Sequence, residues 1–489
     1  MKSWRFLLCP ALVAVWLAVL VPKVAAQGVT TGAIAGRVTD ENGNPLADVQ
    51  IRVRNKSTGF TAGVLTRADG RYIVPNLETG LYEVTARRIG YEPVTRDNQF
   101  VSLSQVLPLD FRLAQQATQL AGVRIVAATT SETFTPTNTS IKTVVTDTTI
   151  SRIPLLSRNL VSLIALTPQA SASGPGFSGG GMSNRMNNVQ IDGATERDVF
   201  GLGSTGQPGA EVNSRSVSLE AVKEFQVLLA PFDVRQGNFG GLLLNAVTRG
   251  GTNQLRGSAF YYYRNQNYGA DTVVVRGTPF DRKQYGFSLG GPIIRDKLHF
   301  FIAPEWQDEN TPVAGPYYGQ PAEIRPVFPL REEDRVRFEQ IMQQLGETRL
   351  GTAGYVNIPN PLTNFFGRLD YRLNDTHRMV FRYNYSWGER LRQQNDRTST
   401  RVVYSGNFHT FTAWKMAPVF QLFSVFGNGA SNELFLGYNR FRHRRVPESN
   451  FPQITVTGLT LTTGATGTIV AGADQFSQQN ELDTDTYEL

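Results

Sequence analysis

The chain has 489 residues, with 48 Lys and Arg against 41 Asp and Glu, a net charge of +7. That length holds two to four domains, and so small and scattered a charge gives no reason to expect a nucleic-acid partner. Beyond the first 26 residues no segment approaches the roughly 20 apolar residues of a spanning helix, and the single cysteine, Cys9, leaves no disulfide framework, thiol catalyst or thiolate metal site.

Residues 1–26 read as a secretory signal peptide. Lys2 and Arg5 form a basic start, Phe6 to Val21 an apolar core, and Val24-Ala25-Ala26 a small-residue cleavage site before Gln27. Removing it takes away Lys2, Arg5 and Lys23 and leaves a net charge of +4. A cysteine-free exported chain suits a bacterial envelope protein.

Residues 30–113 alternate in hydropathy at Ile34, Gly36 and Val38, at Val49, Ile51 and Val53, at Tyr72 and Val74, and at Tyr82 and Val84. Turn residues separate these runs: Asp40-Glu41-Asn42-Gly43, Asp69-Gly70 and Glu78-Thr79-Gly80. Short alternating strands with regular turns predict a small β-sandwich. Gly36-Arg37-Val38-Thr39-Asp40, Gly43-Asn44-Pro45-Leu46, Thr66 to Tyr72 and Leu77 to Tyr82 resemble the carboxypeptidase regulatory-like domain. That resemblance implies a transthyretin-like sandwich, a fold sometimes classed with carbohydrate-binding modules, and it implies no peptidase activity. The four histidines, His299, His377, His409 and His443, all lie outside this stretch, and none has zinc-ligand spacing. A plain spacer and a ligand-binding module both remain open here.

Residues 114–126 form a linker ending in a short extended apolar run. Val123, Arg124, Ile125 and Val126 are the candidate partner-binding strand, since such a run can add to a partner's sheet edge. The alternative is that they open the next domain.

Residues 127–250 mix helical and strand patterns. Leu160, Leu163, Ile164 and Leu166 predict a short helix stopped before Pro168, and Ser171 to Asn188 is a glycine- and serine-rich loop. Val189-Gln190-Ile191 enters a turn at Asp192-Gly193. Val217, Ala221, Val222 and Phe225 have helical spacing ahead of a strand at Gln226 to Leu229. Leu242 to Thr248 reads as a buried strand bounded by Gly240-Gly241 and Gly250-Gly251. The chain is organised around this strand and the aromatic run Gly257 to Tyr263 that follows it.

From residue 251 to 489 the pattern is two-faced. Phe365, Gly367, Leu369 and Tyr371 alternate with Phe366, Arg368, Asp370 and Arg372. Met379, Phe381, Tyr383, Tyr385 and Trp387 alternate with Val380, Arg382, Asn384 and Ser386. One greasy and one wet face predict an antiparallel transmembrane β-barrel surrounded by outer-membrane lipid. Arg295-Asp296-Lys297 and Leu373 to Thr376 are tight turns, expected on the periplasmic side, whereas Asp308 to Pro361 is long and holds a helical run over 331–345. The basic and aromatic run Arg440 to Arg445 fits a barrel rim or lumen.

The ordered motifs Pro154-Leu155, Ser157-Arg158-Asn159-Leu160, Leu166-Thr167-Pro168, Gln190-Ile191-Asp192-Gly193, Glu220 to Val227 with Glu224 and Phe225, Gly240-Gly241 and Thr248 to Asn253 resemble the plug domain of TonB-dependent receptors of the Oar-like type. Arg249-Gly250-Gly251 departs mildly from the family's Lys-Ser-Gly. Gln284 to Pro292, Asp296-Lys297 and Phe300-Phe301 resemble that family's first barrel strands. The resemblance implies a receptor in the cell outer membrane of Gram-negative type. It would be energised by TonB and its inner-membrane complex, and would import a siderophore, glycan, peptide or protein through the barrel.

Since no bond in the substrate changes, no catalytic residue, cofactor or metal ligand is expected. Gly174 to Met182 and Asp308 to Pro361 are the expected substrate contacts. The competing reading is a surface adhesion or structural protein displaying a carbohydrate-binding-like sandwich; an envelope peptidase lacks the required spacings. Roughly eight to ten barrel strands fall short of the about 22 that enclose a plug, and the ending Tyr487-Glu488-Leu489 lacks a terminal aromatic. An N-terminal fragment with an incomplete barrel is therefore expected.

Overall fold

The computed structural model describes residues 30–115, 124–125, 141–146, 149–150, 158, 167–168, 170–171, 178–179, 181–200, 206–229, 237, 239–268, 280–321, 326–427, 429–476 and 479–489. The expected leader and the helix expected at Leu160 to Leu166 lie outside these residues. Contacts divide the chain into two units. One takes Met1–Asn138, Tyr371–Met379 and Gln421–Leu434; the other takes Thr139–Asp370, Val380–Phe420 and Phe435–Leu489.

The first unit contains the sandwich. Its strands are β1 (Gly32–Thr39), β2 (Gln50–Asn55), β3 (Thr61–Leu65), β4 (Arg71–Leu77), β5 (Gly80–Arg87), β6 (Val94–Val101), β7 (Val106–Pro108), β8 (Phe111–Arg112) and β9 (Arg124–Ile125). One sheet has the order β4-β1-β7 with β8 also on β1, and the other β3-β2-β5-β6-β9. The alternation in the sequence becomes the two faces of each strand: β2 buries Ile51, Val53 and Asn55 and exposes the residues between them. Val38, Val49, Ile51, Val74, Tyr82 and Val84 meet in one core. Its two tyrosines keep their polar ends satisfied. The Tyr82 hydroxyl donates to Glu78 O at 2.9 Å and that of Tyr72 to Leu109 O at 2.5 Å. Burial pushes both phenols above the ordinary range.

The second unit begins with β10 (Ile141–Thr146), β11 (Ala170–Ser171), β12 (Ser178–Gly179), β13 (Asn188–Ile191), β14 (Ala194–Thr195), β15 (Val222–Leu229) and β16 (Leu242–Thr248). Five of these form a mixed sheet, β10-β15-β16-β13-β14, and β11 pairs β12 separately. β16 lies at its centre, antiparallel to β15 and parallel to β13, with all seven residues buried. A strand covered on both faces cannot alternate, which is why Leu242 to Val247 reads as a nearly continuous apolar run. The helical spacing expected from Val217 to Phe225 is corrected: only Leu219–Ala221 forms a single 3-10 turn, and β15 already starts at Val222. Both faces of β15 are buried, so its apolar positions fit a helical period as well as a strand; the ladder with β16 decides.

The remaining strands are β17 (Arg256–Asn265), β18 (Asp281–Ile294), β19 (Leu298–Pro312), β20 (Asn357–Pro359), β21 (Leu362–Arg372), β22 (His377–Arg392), β23 (Arg401–Val403), β24 (His409–Val425), β25 (Ser431–Pro447), β26 (Ile454–Thr460), β27 (Thr466–Ala471) and β28 (Asn480–Glu488). Among the described residues one long sheet runs β17-β18-β19-β21-β22-β24-β25-β28, with β20 on β19, and remains open. Its outward rows bring aromatics together. Tyr261, Tyr285 and Trp306 are direct cross-strand partners, with ring centroids 6.4 and 5.8 Å apart. Tyr438 and Tyr487 stack at 5.0 Å. Such outward aromatic belts mark the lipid–water interfaces of a barrel.

The long connections fold on one another. Helix α1 (Glu332–Gln344) buries Phe338 and Met342, one turn apart, against Val402, Tyr404, Ile469 and Ala471. A small sheet, β23-β27-β26, joins two of these connections. Arg397 fastens the cluster. Nε donates to Val403 O at 2.8 Å, and the two terminal nitrogens donate to Gly354 O at 2.7 Å and Thr352 O at 2.9 Å. Burial pulls its guanidinium down to about 10. The helix expected over 331–345 is therefore present, as part of a folded cap rather than a loose loop.

Candidate plug–wall interface

The inward rows of the long sheet face the mixed sheet, and the side chains there are chosen for polar grip. On β19 they are Phe301, Ala303, Glu305 and Gln307, all buried. Phe301, with Phe366 of β21, completes the apolar core of the mixed sheet around Val227, Leu244 and Ala246. The polar positions then meet residues of the mixed sheet and its loops one by one.

Arg215, 3% exposed, ion-pairs with Glu305 and donates to Gln307 Oε1 at 2.5 Å. Glu305 also accepts from Ser218 Oγ and Gln284 Nε2, each at 2.6 Å. Burial lowers the tendency of Arg215 to hold its proton and the Glu305 carboxylate beside it opposes that. Arg158, whose φ is +47°, reaches Glu220 at 2.6 Å and lies over Phe260 of β17 at 4.2 Å. Glu220 in turn accepts from Ser258 Oγ at 3.1 Å.

The turn after β13 is the most heavily used point. Asp192 takes φ = +47° and Gly193 φ = +83°. The Asp192 carboxylate accepts from Thr248 N at 2.8 Å and Thr248 Oγ1 at 2.6 Å, tying the turn to β16. From the wall, the fully buried Arg382 of β22 donates to Ile191 O, and its Nε lies 3.3 Å from Asp192 Oδ2. That nitrogen is off the hydrogen-bond direction, so its attraction to Asp192 is chiefly electrostatic. Beside it Lys415 of β24 ion-pairs with Glu196, both 1% exposed or less, and donates to Ser216 O at 3.1 Å. Arg368 of β21 holds Asp370 at 2.7 Å and donates to Thr248 O at 3.1 Å. His443 of β25 faces Glu211 at 2.9 Å.

Gly241 and Gly251 show why the glycine pairs stand where they do. A Cβ on Gly241 would collide with Asn187 Oδ1, the group that accepts Leu242 N at 3.0 Å. A Cβ on Gly251 would collide with the main chain of β19 at Phe300 and lie 2.8 Å from Gly291 O of β18. The mixed sheet passes to the first long strand through a backbone-on-backbone contact that only glycine fits.

Of the residues singled out in the sequence, Arg158 and Asp192 contact the long strands and Phe225 shares a core with Phe301 and Phe366, whereas Gly193, Glu224, Gly240 and Gly241 lie in the mixed sheet and its turns. Phe225 is fully buried and Glu224 nearly so, and Gly240 and Gly241 both donate to Met186 O. Asn159 lies outside the described residues, as does most of the Gly174 to Met182 loop. Val123 and Val126 lie outside them too, while the backbone of Arg124 and Ile125 pairs in parallel with Thr95 and Arg96 of β6. The wall partners Glu305, Arg382 and Lys415 were missed. A charged residue on the inward row was the signal available for them, as at Arg382 in the row Val380, Arg382, Asn384 and Ser386.

Residues 33–114 match the carboxypeptidase regulatory-like domain and residues 247–321 the outer membrane β-barrel domain. The TonB-dependent transporter Oar of Myxococcus xanthus is 25% identical over 371 residues, covering 72% of this chain. This chain is a homologue of a TonB-dependent transporter. The homologue spans about a third of the length of that curated relative (33%). Among solved structures it is similar to the outer membrane transporter YddB from Escherichia coli, at 14% identity and a TM-score of 0.49, over 71% of this chain and 44% of that one. It is also similar to the alcaligin receptor FauA of Bordetella pertussis, at 13% identity and a TM-score of 0.38, over 65% and 50% of the two chains. These relatives are transporters and receptors rather than enzymes.

Proposed function

We propose that the chain is the N-terminal part of a TonB-dependent outer-membrane receptor that imports a ligand through a plugged β-barrel. In this reading a signal peptide (1–26) exports it, and a sandwich (30–113) and linker (114–126) precede a plug (127–250) and the first barrel strands (251–489). The observation that carries the reading is the clasp: a small mixed sheet held by buried ion pairs to the inward row of a sheet whose outward rows are aromatic. A barrel without a plug has no use for carboxylates fitted to its lumen cations, and a soluble sandwich has no use for an aromatic outer face.

The mechanism follows from how the clasp is built. Polar contacts between plug and wall can be exchanged for water, so the clasp can loosen when pulled and re-form when released, while Phe301 and Phe366, packed into the plug's apolar core, oppose a larger shift. TonB, driven by its inner-membrane complex, pulls on an extended segment ahead of the plug; Val123 to Val126 is our assignment of that segment. Thr95 and Arg96 hold the backbone of Arg124 and Ile125 in a sheet, so TonB takes the strand by exchanging one set of ladder bonds for another. Pull-down of the chain by TonB's C-terminal domain tests the assignment. Ile125→Pro, which removes a ladder donor, is expected to abolish capture. Undiminished capture of that variant would refute the assignment.

A further inference from the structure

The first unit contains more than the sandwich. It includes two hairpins of the long sheet, the turn from β21 to β22 and the turn from β24 to β25, and the contacts between these and the sandwich are specific. Arg378, on the inward row of β22 and 5% exposed, ion-pairs with Glu78 of the β4–β5 turn. Its guanidinium lies over Phe423 of β24 at 4.4 Å and over Phe60 of the sandwich at 5.8 Å. Arg372 donates to Thr61 Oγ1 at 2.7 Å, and Thr61 Oγ1 donates to Asp375 Oδ1 at 3.4 Å. Leu65 N donates to Gly427 O at 3.0 Å, and Asn76 Nδ2 to Asn432 O at 3.4 Å. Val425, 6% exposed, joins the sandwich's own apolar core.

We propose that the edge strand β3, with Phe60 and Glu78, is a docking surface for the barrel's own tight hairpins, anchored by Arg378. The chemistry fits that occupant closely. An open sheet edge is a liability unless something covers it, and here β3 is met at both of its ends, Thr61 and Leu65, by hairpin groups. The anchor is a buried arginine with one carboxylate and two aromatic faces around it, which removes it from water only when the sandwich is in place. The regulatory-like domain thus shares one compact unit with these two hairpins and is not a tethered spacer.

The test is disulfide trapping in the full chain in membranes, in a Cys9→Ala background, independent of any TonB assay. Thr61→Cys with Asp375→Cys is expected to cross-link at least about tenfold more than Thr95→Cys with Asp375→Cys, because Thr95 lies three strands, about 14 Å, further along the same sheet. Adding Arg378→Glu is expected to lower the Thr61–Asp375 yield about tenfold or more, a response smaller than losing one partner of a buried pair can produce. Combining Arg378→Glu with Glu78→Arg is expected to restore it, which separates undocking from misfolding. Equal yields for the two cysteine pairs, no response to Arg378→Glu, or a loss that the exchanged pair does not restore would each overturn the proposal.

Discussion

Replacing Glu196 by Gln leaves Lys415 buried and facing an amide instead of a carboxylate. Both side chains are 1% exposed or less, and the other acceptor left to Lys415 is Ser216 O at 3.1 Å. Breaking one side of such a pair costs about 3–5 kcal/mol. The cost falls on the hairpin of β13 and β14, because Glu196 follows β14 directly and its own N–H closes on Val189 O at 2.7 Å. At 1.4 kcal/mol per factor of ten, local opening of that hairpin becomes about 10² to 10³ times more frequent. Hydrogen exchange read by mass spectrometry over residues 188–196 measures this, with β5 of the sandwich as an internal control. A second variant sharpens the reasoning. Glu196 Oε1 has no hydrogen-bond partner among the described residues, and Glu196→Leu with Lys415→Met is expected to recover most of the lost protection. Exchange in the single variant no faster than wild type, or a double variant worse than the single one, would refute the idea that this pair holds the plug to the wall.

Two further outcomes are expected. Arg397→Met removes donors from Val403 O, Gly354 O and Thr352 O at once; the folded cap should lose about 2–4 kcal/mol of local stability and be cut by protease within residues 345–356 far sooner than wild type. Tyr72, Tyr82 and Tyr404 have phenols held above the ordinary tyrosine value of about 10, each chiefly by burial. The sign follows from linkage: ionisation is easier in the unfolded chain, so stability is complete below pH 10 and falls as pH rises from there through the folded values. An ultraviolet titration should find these phenols un-ionised at pH 11 in the folded chain, and ionisation at the ordinary pH without unfolding would contradict their burial.

Local order was legible wherever one face of a strand is buried and the other is not. The sandwich strands, the two-faced long strands and the helix at Glu332 follow from periods of two and of 3.6 residues, and those periods are written in neighbouring residues. The 3-10 turn at Leu219 was not legible, because β15 is buried on both faces and its period vanishes. The glycine pairs were legible as turns, but not as close approaches. Gly251 is glycine because β18 and β19 pass within contact of it, and those strands lie some forty residues further on.

By itself the sequence determined the type and order of the elements that bury one face, and which of their residues turn inward, since those depend on chain-local alternation. Only the tertiary structure decided which inward charges meet. Asp192 and Glu196 sit four residues apart, yet their partners Arg382 and Lys415 come from β22 and β24, about two hundred residues later. A single side chain cannot announce a partner that distance away. An ion pair is made by the fold that brings its halves together, at a site where water is excluded and each charge is tolerated because of the other.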